Sequence, residues 1–147
     1  MPNVLFELLE KEMDHVPNSV LDVGCGQGLN TVKFADDWPN AKIVGVDLSD
    51  IGIKYANAHY GSKKNVSFIC GDVSKMLDDD EKFDLVTAFE LLEHIEDWEK
   101  VAIEMTQISK NTQAYFGSSR MLRTGFVFDE PLRTPTYSIK FHTQAYR

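Results

Sequence analysis

The sequence has little cysteine, no long apolar run and fewer basic than acidic residues. Its two cysteines, Cys25 and Cys70, form no CxxC pair and lie inside apolar segments, so we expect buried, reduced thiols and a cytoplasmic location. No stretch approaches the roughly 20 apolar residues that cross a bilayer, and the acidic, amphipathic start is unlike a signal or transit peptide. The net charge of −8 disfavours non-specific binding to nucleic acid.

The apolar content of 43% over 147 residues predicts one globular domain with a single core. Three parts can be separated along residues 1–147. Residues 1–17 have apolar positions at helical spacing and predict an N-terminal helix. Residues 18–119 form the core, and residues 120–147 have no clear apolar period. We expect this last part to be a flap or substrate-side segment, a long loop with at most one short strand near residues 137–141.

Apolar runs and helical patterns alternate through the core. The predicted strands are residues 19–24, 41–47, 65–72, 83–90 and 112–119, and the predicted helices are residues 29–39, 49–61, 73–81 (short) and 96–110. The strands are apolar on both faces, which is typical of a parallel sheet covered by helices on both sides. The fold class predicted is therefore α/β, with a doubly wound, mostly parallel sheet.

A glycine-rich loop, LDVGCGQG, follows the first predicted strand. Gly24, Gly26 and Gly28 let the backbone turn sharply and approach a ligand closely. A dinucleotide fingerprint would need glycine or alanine where Leu29 stands, and Asp22 would repel a pyrophosphate. These two residues disfavour an oxidoreductase of the dinucleotide class. They favour a cationic ligand without a phosphate, although an ordinary tight turn remains an alternative.

Acidic residues follow the second and third predicted strands. In open parallel sheets, ligands bind at the carboxyl ends of the strands. Asp47 could there accept both hydroxyls of a ribose, and Asp72 could accept the exocyclic amine of an adenine while a neighbouring backbone N–H donates to the ring. Each acid also precedes a predicted helix, so a helix cap is the alternative for both.

The segments LDVGCGQG, GVDLSD, CGDV and FDLVTAFELLEHI, in this order, resemble the class I S-adenosylmethionine-dependent methyltransferases over about residues 19–119. The resemblance implies a Rossmann-like fold, S-adenosylmethionine as methyl donor and S-adenosylhomocysteine as product. It also implies a set of cofactor contacts. These are Asp22, Gly24, Cys25 and Gly26 at the methionine end, in the loop that ends at Gly28; Asp47 at the ribose, with Leu48 against the adenine; Asp72 and Val73 at the adenine; and Phe89 and Glu90 beside the sulfonium.

Glu90, Glu93 and His94 lie on one face if the chain enters an α-helix directly after the fourth strand. His94 is the candidate catalytic base, with Glu93 or Glu90 orienting it. The alternative is a Mg²⁺ or Mn²⁺ site completed by His142. Such an ExxEH segment with a later histidine resembles the small-RNA 3′-terminal 2′-O-methyltransferases, and the segment by itself also resembles the ubiquinone-biosynthesis O-methyltransferases. The metal site is not the favoured interpretation. The third interpretation is that His94 has only a structural role.

The family fold usually ends with an antiparallel strand pair, and the sequence leaves open whether this chain has it. An unpaired fifth strand would favour a homodimer. The predicted function is methyl transfer to an oxygen of a small-molecule acceptor. The alternatives are a metal-dependent enzyme that methylates RNA 2′-hydroxyls and a non-catalytic domain that binds S-adenosylmethionine.

Overall fold

A computed structural model describes residues 7, 9, 13–78, 80–89 and 91–110, except the side chains of residues 77, 78 and 93. It also describes the backbone of three strands beyond residue 110. Of the predicted N-terminal helix, Glu7 and Leu9 are described and helical, and the chain is no longer helical from Met13 onwards. Among the described residues, no helix is long and apolar enough to cross a membrane.

The core is a single sheet of seven strands in the order β3-β2-β1-β4-β5-β6-β7. The strands are β1 (Ser19–Val23), β2 (Lys42–Asp47), β3 (Val66–Cys70), β4 (Leu85–Phe89), β5 (Gln113–Gly117), β6 (Gly125–Asp129) and β7 (Ser138–His142). The first five strands are parallel to one another, whereas β6 runs antiparallel to both of its neighbours, β5 and β7. The doubly wound, mostly parallel sheet predicted from the sequence is confirmed.

Three described α-helices cover the two faces of the sheet: α1 (Leu29–Asp37), α2 (Asp50–Tyr60) and α3 (Trp98–Ile108). Side chains from α1 and α2, such as Phe34 and Ile53, pack with Val20 and Leu85 on one face. Side chains from α3, such as Met105, pack on the other face with Leu21 and Val86. Because neighbouring residues of a strand point to opposite faces, each central strand supplies both clusters.

The C-terminal part of the chain departs from the sequence-based expectation. Residues 120–147 were expected to be a long loop, but β6 and β7 extend the sheet beyond β5, with Tyr115 opposite Val127 and Val127 opposite Lys140. The question that the sequence left open is therefore answered, because the terminal antiparallel strand pair is present. The edge of β5 is paired, so the argument for a homodimer through that edge no longer holds. The short strand near residues 137–141 is confirmed as β7.

The neighbouring strands β1 and β4 mark the switch point of the sheet, where the strand order reverses. From β1 the chain passes to β2 and β3 on one side, and then crosses to β4 on the other. At such a switch point the loops after β1 and β4 diverge and leave a crevice at the carboxyl edge. The glycine-rich loop and the segment from Leu91 to His94 stand at this crevice.

Candidate functional site

The loop after β1 is built on three glycines in the left-handed region. Gly24, Gly26 and Gly28 have φ angles of 71°, 55° and 85°, which residues with a side chain rarely adopt. The N–H groups of Gly24 and Cys25 donate to the Val46 carbonyl at 2.8 and 3.1 Å, and the Gly28 N–H donates to the Cys25 carbonyl at 2.9 Å. The loop is thus fixed to the end of β2.

The surroundings of the three glycines differ. A Cβ on Gly24 would lie 2.8 Å from Leu91 Cδ1, and a Cβ on Gly28 would lie 2.7 Å from the Phe68 ring, whereas a Cβ on Gly26 would meet nothing within 4 Å. Packing therefore explains the glycines at 24 and 28. At Gly26 the backbone borders open space, as a backbone that a ligand approaches closely must.

Asp47 ends β2 and supports the glycine loop. Its Oδ2 accepts the Gly26 N–H at 2.8 Å and its Oδ1 accepts the Ser49 N–H at 2.7 Å. The cap of α2 is Ser49, whose Oγ accepts the Gly52 N–H at 3.1 Å, so the alternative of Asp47 as the helix cap is wrong. Each carboxylate oxygen has a second lone pair, so Asp47 can still accept hydroxyl groups from a ligand.

Asp72 stands at the end of β3, after Gly71, whose N–H donates to the Asp47 carbonyl at 2.9 Å. The exposed Asp72 carboxylate accepts the Ser74 N–H at 2.9 Å, and this hydrogen bond holds the pKa of Asp72 below its usual value. Asp72 thus starts the 3-10 helix Val73–Asp78, as the capping alternative predicted. A Cβ on Gly71 would meet nothing within 4 Å, so the surface beside Asp72 is also open.

Asp22 lies beneath the glycine loop. It is 2% exposed, its Oδ2 accepts the Thr31 hydroxyl at 2.7 Å, and its Oδ1 accepts the Thr87 hydroxyl at 3.3 Å. Burial is the main reason why the pKa of Asp22 is raised to about 6; the charge of Asp47 contributes to the rise, and the hydrogen bonds from Thr31 and Thr87 oppose it. Direct contact between Asp22 and a ligand, as the resemblance implied, does not fit a carboxylate whose two oxygens face α1 and β4.

Three other predicted contact residues direct their side chains into the protein. Phe89 is buried and stacks on Phe34 with ring centroids 6.2 Å apart. Val73 packs in the cluster that contains Val46, so a contact with a base would have to come from its backbone. Cys25 is half-buried, and burial raises the pKa of its thiol to about 12, so it is no nucleophile.

Leu48 differs from these three residues, because the residue is 76% exposed. It lies between Asp47 and α2, at the open edge beside the end of β3. The Leu48 carbonyl accepts the Cys70 thiol at 3.7 Å, and Cys70 is exposed rather than buried as expected. Leu48 is therefore available to pack against a flat apolar ligand such as a base.

The segment after β4 forms a short 3-10 helix, Leu92–His94, and α3 begins only at Trp98. The expected α-helical face that joins residues 90, 93 and 94 is therefore not present over residues 92–94. Glu90 and the side chains of Glu93 and His142 lie outside the described residues. The His94 side chain is exposed at the carboxyl edge. The backbone N–H of His94 donates to the Leu91 carbonyl at 3.0 Å. Within the described part of the chain, no three acidic, cysteine or histidine side chains cluster as metal ligands would.

Three residues that shape the site were not predicted from the sequence. Thr31 and Thr87 are fully buried and hold Asp22, and Leu91 packs against Gly24. A signal existed for Thr87, because it is the one polar residue in the apolar run LVTAF of β4.

Comparison with protein families gives a domain match. A family model described as a methyltransferase domain matches residues 20–112, which include the glycine loop, Asp47, Asp72 and the segment after β4. The match therefore covers more than half of the chain and the whole carboxyl edge described above.

Curated relatives match part of the chain. A ubiquinone biosynthesis O-methyltransferase from Coxiella burnetii is 35% identical over 95 residues, which are 64% of this chain and 40% of that protein. A malonyl-[acyl-carrier protein] O-methyltransferase from Halalkalibacterium halodurans is 40% identical over 80 residues, which are 52% of this chain and 30% of that protein. The chain thus spans less than half the length of these relatives.

Solved structures share the fold. The plantazolicin methyltransferase BpumL, in complex with a triazolic desmethylPZN analog and SAH, superposes with a TM-score of 0.66 at 23% identity, over 76% of this chain and 43% of that one. PKMT2 from Rickettsia typhi, in complex with AdoHcy, superposes with a TM-score of 0.61 at 24% identity, over 69% of this chain and 21% of that one. At these identities the similarity establishes the fold.

Proposed function

Because the chain belongs to the methyltransferase domain family, we propose that it transfers a methyl group from S-adenosylmethionine to an oxygen of a small-molecule acceptor. The observation that carries the proposal is the left-handed glycine loop, which is joined to Asp47 through the Gly26 N–H and borders open space at Gly26. The family match covers this loop. A loop that contacts its ligand through backbone, with carboxylates instead of cations around it, suits a cationic nucleoside.

The carboxyl edge has a group for each part of the donor. Asp47 would accept the two ribose hydroxyls on its remaining lone pairs. Leu48 would pack against one face of the adenine, and Asp72 would accept the exocyclic amine. The loop at Gly26 would contact the methionine end through its backbone. These roles use groups that are at least partly exposed.

Bound S-adenosylmethionine supplies a methyl group that is attached to a positive sulfur. When the methyl group is transferred, the rest of the donor leaves as a neutral thioether. The protein then has to align an acceptor oxygen with the methyl group and remove the proton of a hydroxyl acceptor. His94 is the proposed base, because it is exposed in the turn that follows β4 at the switch point. Glu93 is proposed to orient it. Leu91 fixes this turn against Gly24, so the donor loop and the acceptor side are in contact.

The names of the curated relatives support oxygen as the acceptor atom, since both are O-methyltransferases. The net charge of −8 favours a small molecule over a nucleic acid. The divalent metal site of Glu90, Glu93, His94 and His142 remains an untested alternative. The cytoplasmic location also remains a prediction, and both cysteines are free thiols in the structure.

Incubation with S-adenosylmethionine that carries an isotopically labelled methyl group tests the proposal. Catechol would serve as phenolic acceptor and a malonyl thioester as carboxylate acceptor, with mass spectrometry to detect the labelled product. His94→Gln should lower turnover of catechol by roughly 10²–10⁴-fold without weakening S-adenosylhomocysteine binding. His59→Gln is the matched control, because His59 is an exposed histidine stacked on Tyr55 in α2. Tight donor binding with no methylated product from either acceptor would contradict O-methyl transfer and favour a binding domain.

A further inference from the structure

The glycine loop lies in the field of two carboxylates, and the donor and product of the proposed reaction differ in charge. Asp22 lies below the loop and Asp47 beside it, and both act electrostatically on the Cys25 thiol within the loop. S-adenosylmethionine carries a positive sulfur, and S-adenosylhomocysteine carries a neutral one. The two molecules are otherwise alike apart from one methyl group, so the charge at sulfur is the main property by which this loop can distinguish them.

The Asp22 charge is poorly screened and has no compensating cation among the described residues. Every element packed around it contributes a neutral or negative group: Thr31 from α1, Thr87 from β4, Asp47 from β2 and Cys25 from the loop. Asp22 is also only 2% exposed, so water does little to weaken the field of its carboxylate. A buried anion without a cationic partner is unfavourable, and a cationic ligand at the loop would supply the missing charge.

We propose that Asp22 is a specificity residue that makes the loop bind the sulfonium donor in preference to the thioether product. The inference rests on the proposed function. Asp22 acts through its charge and not through contact, since its oxygens face Thr31 and Thr87. The preference should speed the exchange of product for fresh donor after each turnover.

The charge of Asp22 depends on pH in an accessible range, because its pKa is raised to about 6. At pH 5 only about a tenth of the free protein would have Asp22 ionised, so a ligand that requires the ionised form would bind about tenfold more weakly than at pH 7. The thioether product has no positive sulfur, so its affinity should fall less than that of the donor over the same range. The ratio of the two affinities therefore isolates this effect, since groups that act equally on both ligands cancel.

The experiment is a calorimetric titration of S-adenosylmethionine and S-adenosylhomocysteine between pH 5 and pH 7.5. In the wild-type protein the ratio of donor to product affinity should fall about tenfold from pH 7 to pH 5. In Asp22→Asn the ratio should be low and independent of pH. Asp37→Asn is the matched control, because it removes one negative charge from the far end of α1, where Asp37 pairs with Lys33 at the surface. It should behave as wild type.

A second variant separates charge from structure. Thr87→Val removes one of the two hydroxyls that stabilise ionised Asp22, so the fall in the ratio should move to higher pH while the fold is retained. A ratio that is independent of pH in the wild type, or profiles of Asp22→Asn and Thr87→Val that superpose on it, would overturn the inference and leave the proposed function intact. Failure of both ligands to bind the wild type would instead overturn the proposed function, and this inference with it.

Discussion

Replacement of Asp22 by asparagine should make the protein more stable at neutral pH. The change keeps the size of the side chain, and an amide can still bond to the hydroxyls of Thr31 and Thr87, because a hydroxyl both donates and accepts. Only the buried charge is lost. Natural proteins frequently retain such an unfavourable group where a binding site requires it.

The magnitude follows from the pKa. The pKa of Asp22 is raised from 3.8 to about 6 by burial, and each unit is worth about 1.36 kcal/mol, so the ionised group destabilises the folded protein by about 3 kcal/mol at most. Since the folded state binds the proton more tightly than the unfolded state, this penalty is absent below pH 3.8. It grows as the pH rises from 3.8 to 6, and it is fully present above 6.

The assay is urea unfolding of wild type and Asp22→Asn at several pH values. The difference in free energy of unfolding should be near zero at pH 4 and should rise to about 2–3 kcal/mol in favour of the variant at pH 7.5. In a chain of this size, each kcal/mol of added stability raises the melting temperature by roughly 2–4 °C. The surface variant Asp37→Asn should stay within about 1 kcal/mol of wild type throughout. A difference for Asp22→Asn that does not change with pH, or that favours the wild type at pH 7.5, would refute this account of the buried charge.

Four further results are expected. Asp47→Ala should weaken S-adenosylhomocysteine binding by roughly 1.5–3 kcal/mol in calorimetry, because the ribose hydroxyls lose a charged acceptor; unchanged affinity in the folded variant would contradict the assignment. Gly26→Ala should lower stability by roughly 1–2 kcal/mol, because its φ of 55° is unfavourable for alanine. It should weaken donor binding by more than this, because the new methyl group enters the open space beside the loop. Donor binding at wild-type strength would show that the ligand does not use this space. Amides of β6 should be protected from hydrogen exchange because β5 and β7 pair with it on both sides; exchange as fast as in a loop would restore the flap interpretation of residues 120–147, of which Gly125–Asp129 and Ser138–His142 are described. If a metal site exists, Mg²⁺ or Mn²⁺ should raise the melting temperature, and this effect should vanish in His94→Ala, shrink in His142→Ala and fade below about pH 6; no response to these ions or to a chelator would exclude it.

The parallel core was predictable because its signals are local and strong. Each central strand is a continuous apolar run that a glycine or an acid ends, and each helix has a regular period with a recognisable start or stop, such as Ser49 before α2. The strand pair β6 and β7 was hard to predict for the opposite reason. Both strands lie in residues 120–147, where the sequence has no clear apolar period, so only the short strand near residues 137–141 was expected and the antiparallel pairing of β6 with β5 and β7 was not.

The position of the candidate site was predictable from the sequence, but which of its side chains are buried was not. The glycines, Asp47 and Asp72 follow strand ends, and parallel strands bring their carboxyl ends to one edge. The sequence does not show that Asp22 faces α1 and not the crevice. That result depends on the alternation of side chains along β1, which places Asp22 on the same face as Val20, below Thr31. A threonine opposite an acid in a buried strand pair is a pattern that could reveal such a residue in related sequences.

Binding of the methyl donor is the claim on which the whole account depends. The most direct test is calorimetry of the wild-type chain with S-adenosylmethionine, S-adenosylhomocysteine and NAD at pH 7.5, with Asp47→Ala alongside. The two sulfur compounds should bind at one site, and Asp47→Ala should weaken the binding of both. NAD should not bind, because the loop has Leu29 and carboxylates where a pyrophosphate would lie. Binding of NAD, or no binding of either sulfur compound to the folded protein, would contradict the claim.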